Sequence, residues 1–281
     1  MLRPVMALSA AAWIAVGVLG FAAPSAATDW KVLPDDEWCD DVSKYGDDGH
    51  CEAREAVVKL DDGLLRLDGV KNGGISVWGD DRKDVLVQAL VRVWNADDEE
   101  EAQEVVESID LEFDGRELRA DGPRRSGRMS WGVSYRVWVP QETDLDLEAH
   151  DGGIKIEGVR GEIDFQTYNG GVKLEDLAGE VVGETHNGGI AVELTGDTWD
   201  GEGLDVSTMN GGVELLIPES YSADLMTGTV NGRVKSDFPY EEERRGRGWG
   251  HRPKKVRLEL GDGGPEIRVT TKNGGVRLRE T

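Results

Sequence analysis

Thr167-Tyr168-Asn169-Gly170-Gly171-Val172-Lys173-Leu174 is followed, 18 residues on, by Thr185-His186-Asn187-Gly188-Gly189-Ile190-Ala191-Val192. The unit recurs as Asp151-Gly152-Gly153-Ile154, Asn210-Gly211-Gly212-Val213, Asn231-Gly232-Arg233-Val234 and Asn273-Gly274-Gly275-Val276, with an outlying copy at Asn72-Gly73-Gly74-Ile75. From Asp151 the steps are 18, 18, 23, 21 and 42, the last being two steps of 21 with a charged insert in place of the missing copy. Asn or Asp followed by Gly-Gly takes positive φ at little steric cost, which suits a tight chain reversal.

Residues alternate with period two on both sides of the turn. Ile154, Val172, Ile190, Val213, Val234 and Val276 form one column, and Ile156, Leu174, Val192, Leu215 and Leu278 form the next. Between them lie Lys155, Lys173, Ala191, Glu214, Lys235 and Arg277, a largely polar column suited to water. Counting back by twos, each copy places a Thr at the turn end of an inward column: Thr167, Thr185, Thr208, Thr229 and Thr271. Each repeat therefore offers two short strands, and copies can stack Thr over Thr and Asn over Asn, each amide satisfied by its neighbour.

One repeat cannot bury its own apolar face, so the copies must share a core. Gly-Gly pairs and strict alternation exclude helix from this half. The expected fold is all-β: a β-solenoid-like stack of Asn-Gly-Gly repeats, with an antiparallel β-sandwich as the alternative. The near-constant period and the column register favour the solenoid.

The front half reads as strands over Leu64–Asp68, Ile75–Trp78, Val85–Trp94, Ile109–Phe113, Ser130–Val139 and Asp144–Glu148. It carries one short helix, 97–108, whose acids crowd the first turn where the helix dipole favours them. Ala102, Val105, Val106 and Ile109 form its inner stripe, so the helix is read as a lid on the open end of the stack or on an adjoining sheet. The expected organisation is a signal peptide over 1–27, a disulfide-stapled segment over 28–62, a β-rich capping region over 63–140, and repeats over 141–281 with a charged insert at 236–255.

Arg3, the apolar run Val5 to Ala23 and the small residues Ser25-Ala26-Ala27 have the form of a secretory signal, so the mature chain is expected to be exported and without a transmembrane helix. Its address would be periplasm, cell surface or medium. Cys39 and Cys51 are the only cysteines, 12 positions apart in a polar segment, and in an exported chain they read as a disulfide. The net charge of −24 repels phosphate backbones, so nucleic acid is excluded as a partner.

Chemistry is scarce. No G-x-S-x-G elbow, phosphate-binding loop or calcium-binding repeat occurs, and Cys39 and Cys51 lack the spacing of a metal site, so no catalytic residue, metal or cofactor is expected. His150, Tyr168 and His186 occupy the slot just before the turn residue in three successive copies. Alternation sends that slot outward, with the two imidazoles about 10 Å apart across Tyr168, too far to share a metal ion. Trp199, in Gly196-Asp197-Thr198-Trp199-Asp200-Gly201, and Trp249, in the insert, read as loop aromatics able to contact a glycan or a protein.

Trp38-Cys39, Cys51-Glu52-Ala53-Arg54-Glu55, Asn72-Gly73-Gly74-Ile75-Ser76-Val77, the T-x-N-G-G-[IV] units and Leu216-Ile217-Pro218-Glu219-Ser220-Tyr221-Ser222-Ala223 together resemble exported bacterial β-strand-repeat proteins known as "putative adhesins", a domain of unknown function. The resemblance covers nearly all of the mature chain; Asp151 and Asn231-Gly232-Arg233 depart from it. It implies a non-catalytic, adhesin-like module binding an envelope or surface partner, and brings no catalytic residues with it. Two other functions stay open: a self-associating envelope scaffold, and a carbohydrate-active β-helical enzyme, either lyase or hydrolase.

Overall fold

A computed structural model describes residues 28–34, 37–42, 49–69, 72–124, 128–242 and 254–281. The expected signal segment, Trp249 and most of the charged insert lie outside these residues. The described chain forms two mixed sheets of 11 strands each. Their centre is a series of rungs, each with one strand in either sheet.

In stacking order the rungs are Leu64–Asp68 with Ile75–Asp80, Asp144–Ala149 with Ile154–Glu157, and Arg160–Thr167 with Val172–Glu175. Ala178–Asn187 with Ile190–Glu193 and Gly203–Asn210 with Val213–Ile217 follow. Glu266–Asn273 with Val276–Glu280 comes next, and Ala223–Thr229 with Val234–Ser236 is last. Neighbouring rungs pair in parallel and in template register: Ile154 with Val172, Val172 with Ile190, Ile190 with Val213, Val213 with Val276. The outlying copy at Asn72 thus belongs to the first rung, whose Ile75 pairs with Ile154.

Two expectations need correction. The sheets do not close into a solenoid, and parallel pairing between rungs rules out a purely antiparallel sandwich. Stacking order also departs from chain order. The last copy, at Asn273, inserts between the copies at Asn210 and Asn231, so the described stack has no rung missing.

The inward columns make the core, with Ile154, Ile156, Leu174, Val192, Leu215 and Leu278 all buried between the sheets. Each inward Thr donates to the carbonyl of the first turn glycine one rung back: Thr167 to Gly152 at 2.8 Å, Thr185 to Gly170 at 2.8 Å, Thr208 to Gly188 at 2.7 Å. The buried hydroxyl is thereby satisfied, and the turn is tied to its neighbour. That first glycine is required by close approach. A Cβ on Gly188 would lie 1.9 Å from the Gly170 carbonyl oxygen, and its φ is not in the left-handed region. Gly183 stands in an inward column because the Phe165 ring of the preceding rung fills the space a side chain would need.

Beyond the first rung, one sheet continues through Ser130–Pro140, Val85–Trp94, Gly49–Val58 and Lys31–Leu33. The other continues through Glu117–Asp121 and Asp110–Phe113. The expected helix runs over Glu99–Glu107 (α2), with Asp98 as its N-cap and Ala102 and Val106 buried. It packs against Gly49–Val58 and Val85–Trp94, and Arg54 donates to the Val106 carbonyl at 2.7 Å, near the helix C-terminus. A second short helix, Glu37–Val42 (here α1), was not foreseen. Cys39 and Cys51 form the expected disulfide, with a Cα–Cα distance of 5.7 Å, and it holds α1 beside Gly49–Val58. No helix among the described residues is long and apolar enough to cross a membrane.

Candidate contact surface

The slot before the turn residue does face water. His150, Tyr168 and His186 stack across three rungs, with ring centroids 5.2 Å and 4.7 Å apart and planes inclined by 22° and 11°. Tyr168 is 47% exposed. Both of its faces are covered by imidazoles, so the column presents ring edges, that is, imidazole nitrogens and a phenol hydroxyl, rather than aromatic faces. His150 Nδ1 lies 3.0 Å from Asp151 Oδ2 at the turn.

The same slot continues through copies the sequence reading left aside. Met209 follows His186, then Lys272 and Val230, because the stacking order places the Asn273 copy before the Asn231 copy. A second outward row runs beside it, pairing Glu148, Gln166, Glu184, Ser207, Thr270, Gly228 and Lys255 strand by strand. The two rows line a groove of about 720 Å³, to which Met226 and Lys254 also contribute. Gln166 Nε2 donates to Glu184 Oε1 at 3.1 Å.

Among the described residues, Tyr168, Val182 and Met209 are three of the five large apolar side chains left exposed, and all three project from this face. The groove is also electrically uneven. Glu148 and Glu184 stand at the end with the rings, while Lys254, Lys255 and Lys272 stand at the other.

The outer face of the other sheet is aromatic too, but its polar atoms are used internally. Trp78 and Trp138 stack at 5.2 Å, Trp78 Nε1 donates to Glu157 at 3.1 Å, and the Lys155 ammonium lies 5.6 Å from the Trp78 ring. The Arg136 guanidinium lies 4.0 Å from the Trp38 ring, which fixes α1 to the sheet. That contact anchors the stapled helix.

Trp199 has to be withdrawn as a contact residue. It is 5% exposed, packs into the core and donates from Nε1 to the Gly179 carbonyl at 2.9 Å. Among the described residues no three His, Cys, Asp or Glu side chains are placed to hold a metal ion.

No protein-family model matches the chain, and no curated protein matches it in sequence. Among solved structures it is similar to a "putative cell adhesion protein" from Clostridium sporogenes, at 12% identity over 82% of this chain and 100% of that one, with a TM-score of 0.41. A "putative adhesin" from Bacteroides fragilis shares 11% identity over 83% of this chain and 97% of that one, with a TM-score of 0.40. A "putative lipid binding protein" from Parabacteroides distasonis shares 10% identity over 83% and 98%, with a TM-score of 0.24. Two of the three carry the adhesin or adhesion name to which the repeat units pointed. At this level of likeness no function passes from any of them to this chain.

Proposed function

We propose that this chain is a non-catalytic binding module of the cell envelope or cell surface, and that it meets its partner through the groove beside His150, Tyr168 and His186. The observation that carries this reading is the ring column itself. Three outward rings are held in register by the rungs beneath them, along a groove that takes in Tyr168 and Met209, two of the five exposed large apolar side chains among the described residues. Rigid strands hold such a surface ready, so little ordering entropy is lost on contact. The Cys39–Cys51 disulfide suits an oxidising compartment outside the cytoplasm.

Two other functions fit less well. A glycosidase sets its two carboxyl groups on either side of the bond to be cut. Glu148 and Glu184 rise from one floor, two strands apart in the same row with Gln166 between them. A scaffold growing by strand addition would need long open edges. Among the described residues the outermost strands are Lys31–Leu33, Val234–Ser236, Glu241–Glu242 and Asp110–Phe113, all short there.

Hydroxyl-radical footprinting tests the proposal, because tyrosine and methionine report directly. Incubation with envelope extract should protect Tyr168 and Met209 and leave Trp78 and Trp138 unchanged. Protection centred on the tryptophan pair, or protection nowhere, would contradict it.

A further inference from the structure

We infer that the ligand of this groove is a linear oligosaccharide carrying an acidic group, laid across the rungs with that group at Lys255 and Lys272. The inference rests on the groove being the contact surface and adds the chemistry of its occupant.

Direction and repeat come first. From Glu148 to Lys255 the floor advances through six strand-to-strand pairings, about 29 Å at the usual strand spacing. A pyranose unit in an extended glycan advances by nearly one strand spacing. Successive units would therefore meet the same slot on successive rungs, and a chain running across the strands stays in step with the protein.

The floor also selects against an extended peptide. Its strands spend their backbone N–H and C=O groups on each other in the parallel ladders, so a peptide finds no main-chain partners there and cannot add as a strand. Recognition falls to side chains. Gln166, Glu184, Ser207 and Thr270 supply donors and acceptors over four successive strands, the ring edges supply more, and Met209 offers a polarisable apolar surface. A sugar alternates hydroxyl groups with C–H faces, and it matches that lining.

Charge sets the polarity and limits the dose. A net charge of −24 repels a polyanion from a distance, so the ligand carries few negative groups. Lys255 and Lys272 lie within two strands of each other at one end, and Glu148 and Glu184 disfavour an anion at the other. A carboxylate or phosphate on the glycan belongs at the lysine end.

The test is titration of the purified chain with β-1,4-linked glucose oligomers of about two to six units and with their counterparts in which a single terminal unit is a hexuronate. Affinity should rise with length until the groove is spanned. Hexuronates should bind about tenfold more tightly than neutral oligomers, and Lys255→Glu with Lys272→Glu should abolish that preference. Affinity independent of length, or a preference unchanged by the lysine variants, would overturn the inference. A second arm separates it from the reading it rests on. Periodate treatment of envelope material, which cleaves sugar diols, should abolish retention of the protein, and protease treatment should not. If Tyr168→Ala removes retention while protease but not periodate destroys the binding material, the groove is the contact surface and its occupant is a protein, and the glycan inference fails.

Discussion

Asn273 Nδ2 donates to Asn210 Oδ1 at 2.8 Å, although 63 residues separate them. The bond belongs to a ladder in which Asn169 donates to Asp151, Asn187 to Asn169, Asn210 to Asn187, Asn273 to Asn210, and Asn231 to Asn273. From Asn169 onward each turn amide hands a hydrogen bond to the rung before it, and the Asp151 copy ends the ladder as an acceptor. The ladder also records the rung order, with the copy latest in the chain in the penultimate place.

Cross-linking tests that order. Paired strands lie about 4.8 Å apart, within disulfide reach, whereas next-nearest strands lie near 10 Å, beyond it. Oxidised Asn210→Cys with Asn273→Cys should show no free thiol on titration. Asn210→Cys with Asn231→Cys should keep two, and the opposite result would restore chain order to the stack.

The two glycines of each turn should behave differently. Gly188→Ala drives a Cβ into the Gly170 carbonyl and should cost about 2 kcal/mol or more in denaturant unfolding. Gly212→Ala places its Cβ 3.6 Å from the Gly275 carbonyl, ordinary contact, and should stay within about 0.5 kcal/mol of the parent. Arg233 already stands at the second-glycine position of its copy.

This contrast marks where sequence reading reached and where it stopped. Alternation around the Asn-Gly-Gly turns was enough to assign inward and outward columns, and it located the ring column at His150, Tyr168 and His186. It said nothing about rung order, because each copy presents the same edges and can pair with any other. It was silent on loops as well. Trp199 looked exposed among glycines, yet its loop returns to the core and hydrogen-bonds at Gly179. Lys272 escaped notice since only the inserted rung brings it beside Met209.

The Cys39–Cys51 bridge closes a short loop and clamps α1 beside Gly49–Val58. Cys39→Ser with Cys51→Ser should lower stability by roughly 2–3 kcal/mol. Tryptophan fluorescence should report the release of Trp38 from Arg136. An unchanged melt and spectrum would show that the helix is held by packing alone.

Glu175 gives the stack a pH dependence. Burial by itself would raise its pKa, but hydrogen bonds from the Lys173 and Lys155 ammonium groups outweigh burial and hold it below the ordinary carboxylate value of 4.5. A depressed carboxyl stabilises the fold above its unfolded pKa, and the stabilisation is lost as pH falls through its folded value. Glu175→Gln should therefore cost up to about 1 kcal/mol near pH 7, as a partly exposed ion pair does. The gap from the parent should close in acid, below the folded pKa. A gap independent of pH would assign the loss to packing.

The central claim is that the outward ring column makes the contact. Retention of the purified chain on immobilised envelope extract, compared with a variant carrying His150→Ala, Tyr168→Ala and His186→Ala, tests it most directly. The rings are surface side chains, so both proteins should melt alike, within about 0.5 kcal/mol. The account predicts that the variant's retention falls at least about tenfold at equal concentration, a loss of roughly 1.4 kcal/mol. Equal retention of two equally folded proteins would contradict it.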